Sequence, residues 1–328
     1  MFFFINDLPR GIDPGTNLAL YADDTKIWKK IACDKDLELL QKDIDYLHNW
    51  SHDNKMNFHP KKCKVLSILH KPSPLCMLPF IAHYYTLGES TLDYTDCEKD
   101  LGVDISNNLS FNEHCNRIMS TAKQKLGLLR RTCCFVNDTK RRRVLYLTLV
   151  RSQFEHCSQI WHPNNVTLNE KFESIQKKCL KWVLFEEELS YSCKDVYLRK
   201  CMQVKILPLA KRFIFNDIIL FHKIFNNLMP VQMPDYLSLF SGITRLRSSH
   251  LDRLSYESSV LPRRNSSNAL NRSFFYRTHM YWNSLPLEIR EIRSHEIFKR
   301  EVKDYLWKMA HDELIDNDID ISLTDGVT

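Results

Sequence analysis

Over the first hundred or so positions the apolar residues fall in short sets. Residues 1–8 read as the end of a buried element, which Asn6, Asp7, Pro9 and Gly11 break into a loop. Leu18-Ala19-Leu20-Tyr21 and Thr25-Lys26-Ile27-Trp28 then flank Ala22, Asp23 and Asp24. The second run alternates as a half-buried strand does, and Asp favours tight turns. The stretch predicts a β-hairpin with Asp23 and Asp24 at its tip. Leu37, Leu40, Ile44, Leu47 and Trp50 recur at spacings of three and four, which predicts an amphipathic helix capped by Asp34 and ending near Asn54. Pro60 and its lysines make a turn before a strand over 63–69. A loop over 71–79 follows, then a short hairpin around Gly88-Glu89-Ser90, then a strand over 100–105.

From Asn112 the period becomes helical. Ile118, Ala122, Leu126 and Leu129 share one face of a first helix. After a turn at Val136-Asn137-Asp138, Thr139 can cap a second helix whose apolar face is Val144, Leu147, Val150 and Phe154. A third helix over 168–184 carries the stripe Phe172, Ile175, Cys179 and Trp182, read as core. Pro208, Pro230 and Pro234 punctuate further helices, 244–266 is a polar, Arg-rich loop, and Phe298, Val302 and Leu306 mark a last helix. The pattern is that of an α+β protein: mixed elements over 1–105, then helical segments over 106–190 and 191–310. The stretch 311–328 is acidic and expected to lack order.

Composition adds constraints. The 328 residues are 44% hydrophobic, enough for a sizeable core. Only 7 Gly are present, with no Gly-rich phosphate loop, so a nucleotide site of that kind is excluded. No apolar run is long enough to span a bilayer, so no membrane partner is expected. The 11 Cys have no C-x-x-C spacing, and no secretion signal precedes them; they read as reduced, intracellular thiols. His114-Cys115 and His156-Cys157 are adjacent pairs in predicted helices, where neighbours point to different faces, which argues against metal binding. The net charge is +6, but residues 117–151 hold ten Lys or Arg against one acid, Asp138, a local balance of +9. That segment suits a polyanion or a solvated helix face. Arg141, Arg142 and Arg143 stand in the first turn of the second helix, where the helix dipole disfavours cations. Phosphates facing them, or tertiary neighbours, would offset that cost.

Asp23 and Asp24 offer oxygens to a hard cation such as Mg²⁺, or else decorate a solvated turn. The order of the motifs around them carries a resemblance. Phe4-Ile5-Asn6-Asp7-Leu8-Pro9, followed by Leu20-Tyr21-Ala22-Asp23-Asp24-Thr25, resembles the run through the catalytic turn of non-LTR retrotransposon reverse transcriptases. The helix ending Trp50-Ser51, then Phe58-His59-Pro60-Lys61-Lys62-Cys63-Lys64-Val65-Leu66, is similar to their next motif. Lys99-Asp100-Leu101-Gly102-Val103 resembles their primer-grip region, and Leu145-Tyr146 through Trp161-His162-Pro163 their thumb. Tyr281-Trp282-Asn283-Ser284-Leu285-Pro286 with Phe298-Lys299 resembles the C-terminal end, in jockey-like elements especially.

The resemblance implies a polymerase palm over 1–105, a helical thumb over 106–190, and RNA-directed DNA synthesis by two Mg²⁺ ions. It implies Asp23 and Asp24 as metal ligands and catalytic residues. Lys62 becomes a candidate proton donor to pyrophosphate, or a plain surface turn lysine. Tyr21, Ala22, Leu101 and Gly102 would lie against nucleotide or primer. Lys123, Lys125, Arg130, Arg131, Arg141, Arg142 and Arg143 would touch the phosphates of RNA template and DNA primer. The family's first catalytic Asp lies upstream of the Phe-Ile-Asn-Asp run, and here three residues precede that run. Fingers, first metal-binding strand and nucleotide-selecting helix are therefore expected to be missing, leaving a chain inactive alone. The alternatives are a non-catalytic nucleic-acid-binding protein or the relic of a mobile element.

Overall fold

The computed structural model describes residues 5, 7–68, 83–163, 165–186, 194–234, 237–239, 254–256 and 273–324, with 238–239, 254–256 and 314–324 described by backbone alone. It is α+β, with short strands and a predominance of helix. The chain divides into two compact units, Met1–Ser110 and Phe111–Thr328. The predicted loop over 71–79, most of that over 244–266 and most of the apolar start lie outside the described residues.

In the first unit β1 (Thr16–Tyr21) and β2 (Asp24–Lys29) form the expected antiparallel hairpin, with Tyr21 opposite Asp24. Helix α1 (Asp34–Asp53) follows. Its N-cap is Cys33, not Asp34: the Asp36 carboxylate accepts the Ala32 and Cys33 backbone N–H groups at 2.8 and 3.0 Å, and these bonds hold its pKa below the usual carboxylate value. Leu37 and Ile44 of α1 pack with Tyr85, Leu87 and Leu92, and Ile27 and Val65 lie against this cluster. Burial pushes the Tyr85 phenol up to about 12. Strand β3 (Lys64–Leu66) is shorter than predicted and pairs in parallel with β6 (Asp93–Thr95). Between them β4 (Thr86–Leu87) and β5 (Ser90–Thr91) make the small hairpin, closed at Gly88 with φ 61°.

The region expected as one strand over 100–105 is instead a hairpin. β7 (Cys97–Asp100) and β8 (Val103–Ser106) are antiparallel, and Leu101 and Gly102 form the turn with φ of 46° and 89°. Gly102 supplies a residue that adopts positive φ without cost, and the flanking strands pair across it. Among the described residues the strands form separate two-stranded sheets.

The second unit contains α2 (Asn112–Thr132), α3 (Thr139–Leu145), a π-helical turn over Tyr146–Arg151, α4 (Ser152–Glu155), α5 (Ser158–Trp161), α6 (Val166–Leu184), α7 (Lys194–Gln203) and α8 (Leu209–Phe225). A strand pair, β9 (Leu237–Leu239) with β10 (Leu254–Tyr256), precedes α9 (Phe274–Ser284), α10 (Leu287–Arg290) and α11 (His295–Thr324). Asp138, rather than Thr139, caps α3 by accepting the Lys140 N–H at 2.8 Å. Asn165 caps α6 through the Thr167 N–H at 2.9 Å, so the helix begins at Val166. The predicted stripe of α6 is core: Phe172 is fully buried, with ring centroids of Phe154, Trp161 and Phe213 at 5.3, 5.7 and 5.7 Å. Phe221, Trp282, Leu285, Phe298, Val302 and Leu306 form a second cluster.

The segments expected over 106–190 and 191–310 fall almost wholly within the second compact unit, Phe111–Thr328. One expectation changes here. Helix α11 continues past Ala310 to Thr324. Its acidic stretch is held at Glu313, which pairs with Lys194 at 3.0 Å and Lys211 at 2.7 Å. No helix among the described residues is long and apolar enough to cross a membrane.

Candidate nucleic-acid interface

The hairpin tip holds Ala22 at φ 54°. An L-residue with a Cβ pays roughly 1–2 kcal/mol for that left-handed conformation, which glycine avoids. The tip carries exposed Asp23 and Asp24 beside Tyr21, which is 66% exposed. Strand alternation puts Tyr21, Asp24, Lys26 and Trp28 on the outer face, and Lys26 Nζ stands 5.9 Å from the Trp28 ring centroid. Lys26 also forms an ion pair with Asp100. Asp100 directly precedes the turn at Leu101-Gly102, so this bridge brings the two hairpins of the predicted site together. Sequence reasoning gave Lys26 and Asp100 no such role, because a pair separated by 74 positions leaves no local pattern. Leu101 is itself a bulky residue at positive φ, so both turns place a Cβ where glycine would be free of strain.

For a two-metal site the tip offers Asp23 and Asp24. Among the described residues no group of three or more His, Cys, Asp or Glu could hold a metal ion. Two adjacent acids on an exposed turn supply fewer oxygens than such a clamp uses. His114 is buried beside Trp161, with ring centroids 5.4 Å apart. His156-Cys157 lies at the break between α4 and α5 rather than within a helix, with Cys157 at φ 50°. Lys62 is exposed in a single 3₁₀ turn over Pro60–Lys62.

The basic segment divides in two. Lys123 and Arg131 are exposed on α2, and Lys125 is half-buried. Arg130 donates to the Lys178 backbone carbonyl at 3.3 Å. Arg141 is 81% exposed and 3.6 Å from Asp138. Arg142 and Arg143, expected to face phosphates, turn inward. The Arg142 guanidinium is buried, donating to the carbonyls of Val136 and Trp182 at 2.7 Å each and lying 3.8 Å from the Phe185 ring centroid. Trp182 is in the last turn of α6. Arg143 donates to the Val204 carbonyl at 2.7 Å and to that of Lys205 at 3.2 Å, just past the end of α7. Both cations thus meet backbone carbonyls at or just past helix C-termini, where the dipole favours positive charge. The unfavourable placement at the start of α3 is offset inside the fold.

The polar groups that burial perturbs most are elsewhere in the second unit. Burial raises the Glu173 carboxyl, which accepts from the Tyr197 hydroxyl and the Ala210 N–H. Gln176 accepts from Tyr146 and donates to Tyr197, both at 2.8 Å. Asp217 is fully buried, 2.7 Å from His162 Nδ1 and 2.8 Å from Arg277 Nε. These interior networks tie α6, α7, α8 and α9 together. His162, part of the predicted thumb motif, is one of their members rather than a surface contact.

Three substitutions test these placements. Arg142→Ala strips a buried cation from its carbonyls and should cost about 3 kcal/mol of unfolding free energy, read from urea denaturation, with Arg141→Ala within about 0.5 kcal/mol of the parent. Ala22→Gly relieves the turn against a smaller chain-entropy cost and should stabilise the first unit by about 0.5 kcal/mol in the same assay.

Comparison of the chain with protein-family models, curated proteins and solved structures finds no match.

Proposed function

We propose that this chain is the catalytic-turn half of a reverse-transcriptase palm joined to a helical thumb and C-terminal region, of the non-LTR retrotransposon kind. It would bind template and primer without completing nucleotidyl transfer alone. The observation that carries the reading is the strained, exposed turn at Ala22-Asp23-Asp24, linked through Lys26 and Asp100 to the second strained turn at Leu101-Gly102. The ordered motifs of the sequence supply the family. Positive φ on a residue with a Cβ recurs at Lys55, Leu109, Lys205 and other turns, so strain by itself does not mark function; what supports the reading is that this turn presents Tyr21 and two acids to solvent. Tyr21 and Leu101 would lie beside nucleotide or primer. Lys123, Lys125, Arg131 and Arg141 would meet phosphates, with Arg142 and Arg143 withdrawn from that role. Lys62 remains a proton-donor candidate only where a complete active site forms. Mg²⁺ belongs to that complete site, and the acids of this chain alone do not fit it.

Two measurements on the whole chain test the proposal. With RNA template, DNA primer, dNTPs and Mg²⁺, no extension is expected; robust extension abolished by Asp23→Ala would refute the inactivity. Fluorescence anisotropy should show salt-sensitive binding of the RNA–DNA template–primer that chelation leaves unchanged. Replacing Lys123, Arg131 and Arg141 singly by Ala should each lower the slope of log K against log salt by about 1. Absence of binding at low salt contradicts the nucleic-acid reading altogether.

A further inference from the structure

Two histidines meet where the last helix docks. His222, on α8, is fully buried and stacks on Phe298 of α11 with ring centroids 3.9 Å apart. Its Nε2 lies 2.8 Å from the Ile292 backbone oxygen. A carbonyl only accepts, so Nε2 carries the hydrogen and Nδ1 keeps its lone pair. That Nδ1 faces Nδ1 of His295, the first residue of α11, at 3.4 Å. In the neutral pair His295 Nδ1–H therefore donates to His222.

We propose that His222 and His295 form an acid-sensitive latch that holds the first turn of α11 on α8. A first proton on His222 Nδ1 only reverses the bond, because His295 in its Nε2–H tautomer accepts at Nδ1 from a protonated His222; a second proton gives both Nδ1 atoms a hydrogen, and the two N–H groups then confront each other. Protonation of His222 also places a cation against Phe298, inside the cluster that contains Phe221 and Trp282. A proton on the outer nitrogen of His295 keeps the bond but puts positive charge at the N-terminus of α11, where the helix dipole opposes it.

The surroundings favour the neutral pair. Burial holds His222 below the usual histidine value; His295 lowers it further and the Ile292 carbonyl opposes. Burial also lowers His295, as do Lys223 of α8 and Lys299 of α11, against Glu296 of α11. At this junction α9 presents the apolar Trp282. Because both folded-state values are depressed, the latch contributes fully above the unfolded histidine pKa of about 6.5 and is lost as pH falls below it.

Amide hydrogen exchange of the whole protein at pH 7.5 and 5.5, corrected for intrinsic rates, tests the latch. Protection over residues 296–302 should fall several-fold at the lower pH while that of α6 holds. His222→Gln can still donate to the Ile292 carbonyl but does not titrate, and should lose most of this acid response. His295→Gln offers a carbonyl to a protonated His222 and should shrink the response as well, which keeps the test decisive where the buried substitution prevents folding. A wild-type chain with no selective loss over 296–302, or a His295→Gln chain with an unchanged acid response, overturns the latch.

Discussion

The Arg142 guanidinium donates to the carbonyl of Trp182 at the closing turn of α6, and Arg143 beside it reaches the carbonyls that follow α7. Three helices of the second unit meet through these two side chains. The start of α3 supplies the cations, and the last turn of α6 and the residues just past α7 supply backbone carbonyls. Each side corrects the other's electrostatic defect. A lysine could not do the same, because the planar guanidinium spans several acceptors at once and lies flat against the Phe185 ring. Other interior links run the same way: Asp217 holds His162 and Arg277, and Gln176 joins Tyr146 to Tyr197.

This pairing explains why a basic run is an ambiguous signal. The sequence shows ten cations over 117–151, and charge alone does not tell a surface stripe from a brace. Burial decides it, and burial depends on where the ends of other helices arrive. The dipole argument correctly identifies Arg141 to Arg143 as needing negative partners. It does not say whether those partners are phosphates or carbonyls of the same chain. Arg141, standing in solvent near Asp138, is the member of the run left on the surface.

Elements with strong local patterns were readable from sequence. The β1–β2 hairpin, α1, α2 and the buried stripe of α6 follow from periodicity, since each buries one face against the rest of its unit. The Leu101-Gly102 turn was missed because Asp100 to Ile105 reads as continuous strand, and Leu101 is a poor residue for positive φ. Helix α11 outran its predicted end because the lysines that hold Glu313 come from α7 and α8. The candidate site was legible as residues but not as an arrangement. Asp23 and Asp24 do stand at an exposed tip, while the Lys26–Asp100 bridge that sets the second turn beside the first is a long-range contact.

The division of the basic segment is the point on which the account of this protein stands, and arginine Nε–H NMR tests it directly. Spectra recorded with and without RNA–DNA template–primer should show the Arg142 Nε–H exchanging slowly with solvent and unmoved by the nucleic acid, because it is committed to the Val136 carbonyl. The Arg131 and Arg141 signals should exchange fast and shift on binding. A fast-exchanging Arg142 resonance that shifts when template–primer is added would place that side chain on the surface and contradict the account.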